Sequence, residues 1–171
     1  VNTLEDGVTY TEQAFDQKGT LFSEGMIEFC GIGSLEVTGN NNNAIASDDY
    51  ITIPDGITIT THTPATGSNG IKAKGGLYIN GGALSIDVAS AGGRGIRNNG
   101  AMEINGGVIN ITNSGGCLIE TVDGIENVSS PAGIKCDSTF IMSGGKLTIN
   151  CTGDGGKGIN NTQDIEIYGG V

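Results

Sequence analysis

The chain has 171 residues, of which 19 are acidic and 8 basic, giving a formal net charge of −11 at pH 7. This charge argues against nucleic acid or an anionic membrane as the partner, because phosphate contacts require a basic surface. No apolar run approaches the roughly 20 residues of a membrane-spanning helix, and the 31 glycines lack the triplet period of collagen.

The first part of the chain is less regular than the rest. Residues 1–25 have no clear repeating pattern, and we predict an N-terminal cap or an irregular first coil that shields a strand edge. From residue 26 onward apolar residues come in i, i+2 pairs, first Ile27/Phe29 and then Leu35/Val37. This spacing is strand periodicity, because alternate side chains of a strand share a face.

Four units then repeat one pattern up to the last residue. Each unit opens with Gly-Ile, continues with an apolar i, i+2 pair, and then has a Gly-Gly pair. The opening glycines are Gly70, Gly95, Gly133 and Gly158, so the first and last intervals are equal and the middle one is longer. Such a period indicates a stack of similar coils, each with three short strands and glycine-permitted corners. We predict an all-β fold, a right-handed single-stranded parallel β-helix of about 25 residues per coil. We predict that it spans residues 26–171 and continues beyond the C-terminus.

Several segments also resemble a known family. Residues 21–27, 31–37 and 44–53, with the later Gly-Ile-Lys and Ile-Asn-Gly-Gly units, resemble an extracellular bacterial carbohydrate-binding domain family with a polysaccharide-lyase-like β-helix. Its clostridial members bind cellulose and pectic polymers and contain calcium. The resemblance implies a secreted or cell-surface protein that binds polysaccharide, with calcium as a cofactor. Members often have aspartate directly before Gly-Ile, whereas this chain has Asn69, Arg94, Ala132 and Lys157, which weakens the implied calcium sites.

One column of the predicted coils is basic. The position two residues after each opening glycine holds Lys72, Arg97, Lys135 and Asn160, and stacking would bring these side chains to about 5 Å intervals on one face. Like charges so placed repel each other, so the column is a candidate docking strip for an acidic glycan such as polygalacturonate. The alternative is a set of solvated side chains that keep the strand surface soluble.

Acidic residues form the candidate metal sites. Carboxylate oxygens suit calcium, which takes six to eight oxygen ligands in loose geometry, whereas an acidic surface loop or an Asp-containing turn is the alternative. One group belongs to, or follows, an insertion within residues 114–132, and the other precedes a predicted strand. The candidates are Glu120, Asp123 and Asp137 in the first group, and Asp48 and Asp49 in the second.

Three functions stay open at this point. They are a non-catalytic polysaccharide-binding module, an adhesin-like or structural stalk, and a polysaccharide lyase or hydrolase. The basic column favours the first, and the lone histidine, His62, has no catalytic partner in a recognisable pattern. The scarcity of aromatic residues, with no tryptophan, argues against stacking on flat cellulose-like chains. An exposed end of the solenoid would also permit end-to-end self-association.

Overall fold

The computed structural model describes residues 1–7, 9 and 18–171, and these residues form strands without any helix. No segment among them is therefore a helix of membrane-spanning length. The strands are β1 (Asn2–Glu5), β2 (Gly19–Ser23), β3 (Ile27–Glu28), β4 (Gly33–Thr38), β5 (Asn43–Ser47), β6 (Tyr50–Ile53), β7 (Ile57–Thr63), β8 (Ile71–Ala73), β9 (Gly76–Ile79), β10 (Ala83–Val88), β11 (Arg94–Asn98), β12 (Ala101–Ile104), β13 (Val108–Asn113), β14 (Leu118–Val122), β15 (Ile125–Ser129), β16 (Ala132–Cys136), β17 (Phe140–Met142), β18 (Lys146–Cys151), β19 (Lys157–Asn161) and β20 (Ile165–Ile167).

Eighteen of these strands form three six-stranded parallel sheets. Sheet A contains β1, β4, β7, β10, β13 and β18; sheet B contains β2, β5, β8, β11, β16 and β19; sheet C contains β3, β6, β9, β12, β17 and β20. Each turn of the chain gives one strand to each sheet, and Ile71 pairs with Ile96, the equivalent residue of the next coil. The predicted all-β solenoid with about 25 residues per coil is confirmed.

The core is built from inward-facing columns of aliphatic side chains. In sheet B, Ile45, Ile71, Ile96 and Ile134 are Cα partners in consecutive strands, and each is at most 1% exposed. Burying an isoleucine of this size contributes about 1.5–3 kcal/mol. The stack of equivalent residues therefore stabilises each coil mainly through its two neighbours.

The glycine that opens each of the first three units is required by close packing between sheets B and A. A methyl group at any of these positions would lie far inside van der Waals distance of an isoleucine Cγ2 on sheet A. The pairs are Gly70 with Ile86 (2.6 Å), Gly95 with Ile111 (2.4 Å) and Gly133 with Ile149 (2.3 Å).

The insertion within residues 114–132 is a β-hairpin. Strands β14 and β15 are antiparallel, and the two turn residues Asp123 and Gly124 have positive φ of 51° and 77°, as a type I′ turn requires. Gly116 O accepts a 2.8 Å hydrogen bond from Gly92 N, so the hairpin leaves the solenoid at a corner between sheets A and B. The Asp-Gly pair is a hairpin signal, and the acidic surface loop that was the alternative to a metal site is this hairpin.

Residues 1–25 also contribute to the stack. Strand β1 pairs in parallel with β4, and β2 pairs with β5. Residues 8 and 10–17 of the expected cap lie outside the described residues. The boundary of the cap at residue 25 stays a prediction.

Candidate functional site: the cationic face of sheet B

The basic column expected from the repeats lies on the outward side of sheet B. Lys72, Arg97, Lys135 and Asn160 are Cα partners in β8, β11, β16 and β19. Each alternates with inward residues along its strand, since the isoleucines that precede it face the core. The register therefore brings these four side chains together.

Other cations join this column. Lys18 precedes β2, Lys74 directly follows β8, and Arg94 opens β11. Lys18 and Lys74 are electrostatic neighbours of Lys72, and Arg94 is a neighbour of Arg97. Six of the eight basic residues of the chain thus form one surface, the cationic face: Lys18, Lys72, Lys74, Arg94, Arg97 and Lys135.

Asp48 lies at one side of the cationic face and joins two of its lysines. Its carboxylate is 2.5 Å from Lys18 Nζ and 2.9 Å from Lys74 Nζ. These two hydrogen bonds lower the pKa of Asp48 below its ordinary value. The carboxylate therefore stays ionised and fixes the positions of both ammonium groups.

Asp137 forms the corresponding pair on the other side. It accepts hydrogen bonds from Arg97 and from Lys135 Nζ, the latter at 3.0 Å. Asn99 Nδ2 at 3.2 Å and Thr162 Oγ1 at 3.3 Å also donate to it. Partial burial acts to raise the pKa of Asp137, but the hydrogen bonds from Arg97 and Lys135 outweigh it, and the net shift is downward.

Lys72 lies between these two ion-paired groups and differs from both. Among the described residues it makes no hydrogen bond or ion pair with a protein group, and it is half-buried. Burial lowers its pKa first, repulsion from Lys74 and Arg97 lowers it further, and the charge of Asp48 offsets this only in part. The negative charge of an anionic ligand would offset this repulsion, so binding of an anion beside Lys72 would be favourable.

Arg94 is a second under-compensated cation. It is half-buried, its Nε lacks a hydrogen-bond partner in the described part of the chain, and burial followed by Arg97 lowers its pKa. In the sequence, Arg94 stands out only as a departure from the family pattern. Its column position gave no indication that it would lie beside Arg97.

The acidic residues expected to bind calcium do not form a cation site together. Asp48 and Asp137 hold lysine and arginine side chains, while Asp49, Glu120 and Asp123 are exposed, the last two on the hairpin. In the described ranges no group of three or more His, Cys, Asp and Glu side chains is placed to hold a metal ion. Calcium binding at these residues stays a prediction from the sequence.

His62 lies on another face of the molecule. Its Nε2 is 3.5 Å from Glu36 Oε1, and both side chains are more than two-fifths exposed. The two residues belong to adjacent strands β7 and β4 of sheet A. They do not approach the cationic face of sheet B.

Comparison with known proteins gives one match. The model of a family described as carbohydrate-binding domain-containing protein matches residues 1–99 and again residues 71–171. The two matches together span the chain, and two matches to one model are expected for a chain of repeated coils. No curated protein and no solved structure matches.

Proposed function

The chain belongs to the carbohydrate-binding domain-containing protein family, and we propose that its cationic face binds an acidic polysaccharide of the polygalacturonate type. The observation that carries the proposal is Lys72, a half-buried ammonium without a protein partner in the described residues, between two ion-paired groups. In this proposal the protein is a non-catalytic module that works outside the cell, secreted or at the bacterial surface.

The arrangement suits a linear polymer that carries one carboxylate per sugar. Strands of sheet B succeed each other at about 4.8 Å, so a chain lying along the solenoid meets a new coil at a regular interval. A uronate carboxylate beside Lys72 would offset the repulsion from Lys74 and Arg97. Asp48 and Asp137 already hold four of the other cations in place, which lowers the entropic cost of binding.

The alternatives are less well supported. A stalk does not account for the concentration of six cations on one face of a chain with net charge −11. A lyase would use such cations on a uronate, but it also needs an acid–base set, and His62 contacts Glu36 on sheet A, away from this face. Like charges on neighbouring strands destabilise a sheet. A sheet with a purely structural role would therefore be more stable if its cations were dispersed.

The test is calorimetric titration with polygalacturonate. Lys72→Met removes the charge and keeps an apolar side chain of similar length; we expect about tenfold weaker binding, as the loss of one charge pair worth about 1.4 kcal/mol predicts. Lys146→Met is the matched control, because Lys146 is an exposed lysine on sheet A and its loss should leave the affinity unchanged. Failure of the unmodified protein to bind, or equal weakening by both variants, would contradict the proposal.

The same titration, repeated with a chelator, tests whether binding requires calcium. We expect the affinity to stay the same, because the carboxylates of the cationic face already bind protein cations. A loss of binding in the chelator would instead show that calcium contributes to the site.

A further inference from the structure

A second surface, on the outward side of sheet C, combines aromatic and polar side chains. Tyr50 and Gly76 are Cα partners, and Met26 directly precedes Ile27, the partner of Ile51. Met26, Tyr50 and Gly76 therefore occupy equivalent positions in three consecutive coils. Met26, Tyr50 and Tyr78 make up the tyrosine strip.

Tyr78 fills the space that Gly76 leaves open. A methyl group at Gly76 would lie 3.2 Å from Tyr78 Oη and 3.3 Å from Tyr78 Cε2, so the phenol ring turns back over this glycine. Its centroid is 6.2 Å from that of Tyr50, with the ring planes at 72°. Tyr50 Oη contacts Met26 Sδ. The two half-buried rings thus form an L-shaped pair backed by the sheet.

Polar groups border the tyrosine strip. Thr52 and Glu103 are the Cα partners of Tyr78 on its two sides. Asn80 lies two residues beyond Tyr78, and its Oδ1 accepts a 2.9 Å hydrogen bond from Asn105 Nδ2. A hydroxyl, a carboxylate and an amide are therefore within one coil of the rings.

The charge of this face is opposite to that of sheet B. The six strands of sheet C contain no lysine or arginine, and Glu28, Glu103 and Glu166 share one outward column. Such a surface repels a uronate and accepts an uncharged ligand. Sheet C is therefore complementary to a neutral sugar.

We propose that the tyrosine strip is a second subsite, which binds a neutral pyranose ring of a glycan. The faces of aromatic rings are electron-rich, so they attract the polarised C–H bonds on the apolar face of a pyranose. Glu103 and Asn80 are placed to bind the sugar hydroxyls, and a few polar groups around an apolar surface are typical of ligand sites. This subsite rests on the carbohydrate-binding role proposed above and extends it to a different class of sugar.

The two subsites are neighbours. Only Lys74 and Gly75 separate β8 of sheet B from β9 of sheet C, so the cationic face and the tyrosine strip meet at one corner of the coil. The low aromatic content of the protein argues against stacking on flat cellulose-like glycans. Two of its four tyrosines nevertheless lie in contact with each other, so this one surface has the aromatic rings that stacking on a sugar requires.

The test is titration with a neutral hexamer of β-1,4-linked glucose, followed by calorimetry and by near-ultraviolet circular dichroism. The chain has no tryptophan, so the tyrosines dominate the near-ultraviolet signal and report on ring contacts. We expect Tyr78→Ala to weaken binding about tenfold and to abolish the spectral change. Tyr168→Ala is the matched control, because Tyr168 is a 75% exposed tyrosine that follows β20 outside the strip.

A second variant tests the geometry without removing a ring. Gly76→Ala should displace the Tyr78 ring and weaken binding of the hexamer. The methyl group would also lie 3.1 Å from Ala101 O of the next coil, so we expect a lower melting temperature as well, and the titration is carried out well below it. The subsite is refuted if the unmodified protein does not bind the hexamer, or if Tyr78→Ala and Tyr168→Ala have equal effects.

Each of the two proposals can be refuted without affecting the other. Lys72→Met should leave hexamer binding intact, and Tyr78→Ala should leave polygalacturonate binding intact. Absence of hexamer binding alone refutes the tyrosine subsite, whereas absence of polygalacturonate binding alone refutes the proposed role of the cationic face.

Discussion

Lys72 combines an unfavourable electrostatic position with a proposed role in binding. Burial and the charges of Lys74 and Arg97 lower its pKa in the folded protein below the ordinary value of 10.5. In the pH interval between these two values the unfolded chain binds more protons at this residue than the folded one. The contribution of Lys72 to stability therefore rises with pH across that interval, and at neutral pH its charge costs stability.

This cost leads to a prediction for Lys72→Met. Removing the charge should raise the melting temperature at pH 7 by about 2 °C, after allowance for solvent screening, while polygalacturonate binding weakens. Thermal unfolding followed by circular dichroism measures the effect. Higher stability together with weaker binding is the result expected when a functional residue is replaced. A loss of stability would contradict the conclusion that the charge of Lys72 destabilises the folded protein.

Asp137 has the opposite influence, because it binds two cations at once. Its pKa is lowered in the folded state, so its contribution to stability is complete above its unfolded pKa and is lost as pH falls through the folded value. Asp137→Asn should cost about 1–2 kcal/mol at pH 7, since Arg97 and Lys135 would face each other without a shared anion.

The Asp137→Asn measurement is denaturant unfolding at pH 7 and at pH 2.5. The difference between variant and parent should shrink at the lower pH, where the carboxylate of the parent is increasingly protonated. Asp87→Asn, at an exposed position of sheet A, serves as control and should change stability little at either pH. An equal loss from both variants would show that the ion pairs contribute nothing specific.

At the scale of elements, the glycine column determines how closely sheets A and B can pack. Gly95→Ala would place a methyl group 2.4 Å from Ile111 Cγ2 and 2.7 Å from Gly133 O, and such overpacking costs about 2–3 kcal/mol. Gly158→Ala is a strict control, because Gly158 occupies the same column and a methyl group there meets nothing within 4 Å. Chemical denaturation of both variants checks the prediction, and similar values for the two would contradict it.

The hairpin should be dispensable for the fold. Four of its five large apolar side chains, Ile119, Val122, Ile125 and Val128, are 56–66% exposed and so add little burial. Replacing residues 114–131 with residues 152–156, the corner of the next coil, keeps the buried Ala132 of β16 and should preserve the strand content and the affinity for polygalacturonate. Circular dichroism and calorimetry of this variant test both, and an unfolded product would show that the hairpin supports its corner.

These elements differ in how far the sequence could predict them. The isoleucine and glycine columns were predictable because equivalent positions of successive coils pack in the same environment. Ile71 and Ile96, for example, face the same core and therefore have the same side chain. The register also places Asp48, Lys74 and Asp137 near one column. It could not predict that Arg97 and Lys135 both reach Asp137, because that depends on the side-chain rotamers. Lys18 belongs to the irregular first coil, where no repeat fixes its position.

At the scale of the whole molecule, the charges are divided between faces. The chain carries a net charge of −11, yet the cationic face on sheet B gathers six cations, and the strands of sheet C contain no lysine or arginine. An acidic polymer is thus attracted to one face and repelled by the rest, which favours one orientation of binding.

This division predicts different salt dependences for the two subsites. Between about 50 mM and about 500 mM sodium chloride the affinity for polygalacturonate should fall by about tenfold or more, because screening weakens exposed charge pairs. The affinity for the neutral glucose hexamer should change less than about twofold over the same range. Calorimetric titrations with each ligand at both sodium chloride concentrations test this prediction. An equal loss of affinity for the two ligands would indicate a single shared site.

The parallel register of the three sheets also has a mechanical consequence. Hydrogen bonds between coils run along the solenoid axis, and each coil bonds only to the coils before and after it. Tension between the two ends would therefore peel off one coil at a time, releasing roughly 80 Å of chain from each set of about 25 residues. A molecule built in this way would lengthen in steps under load and yield gradually, with the remaining coils still able to hold their ligand.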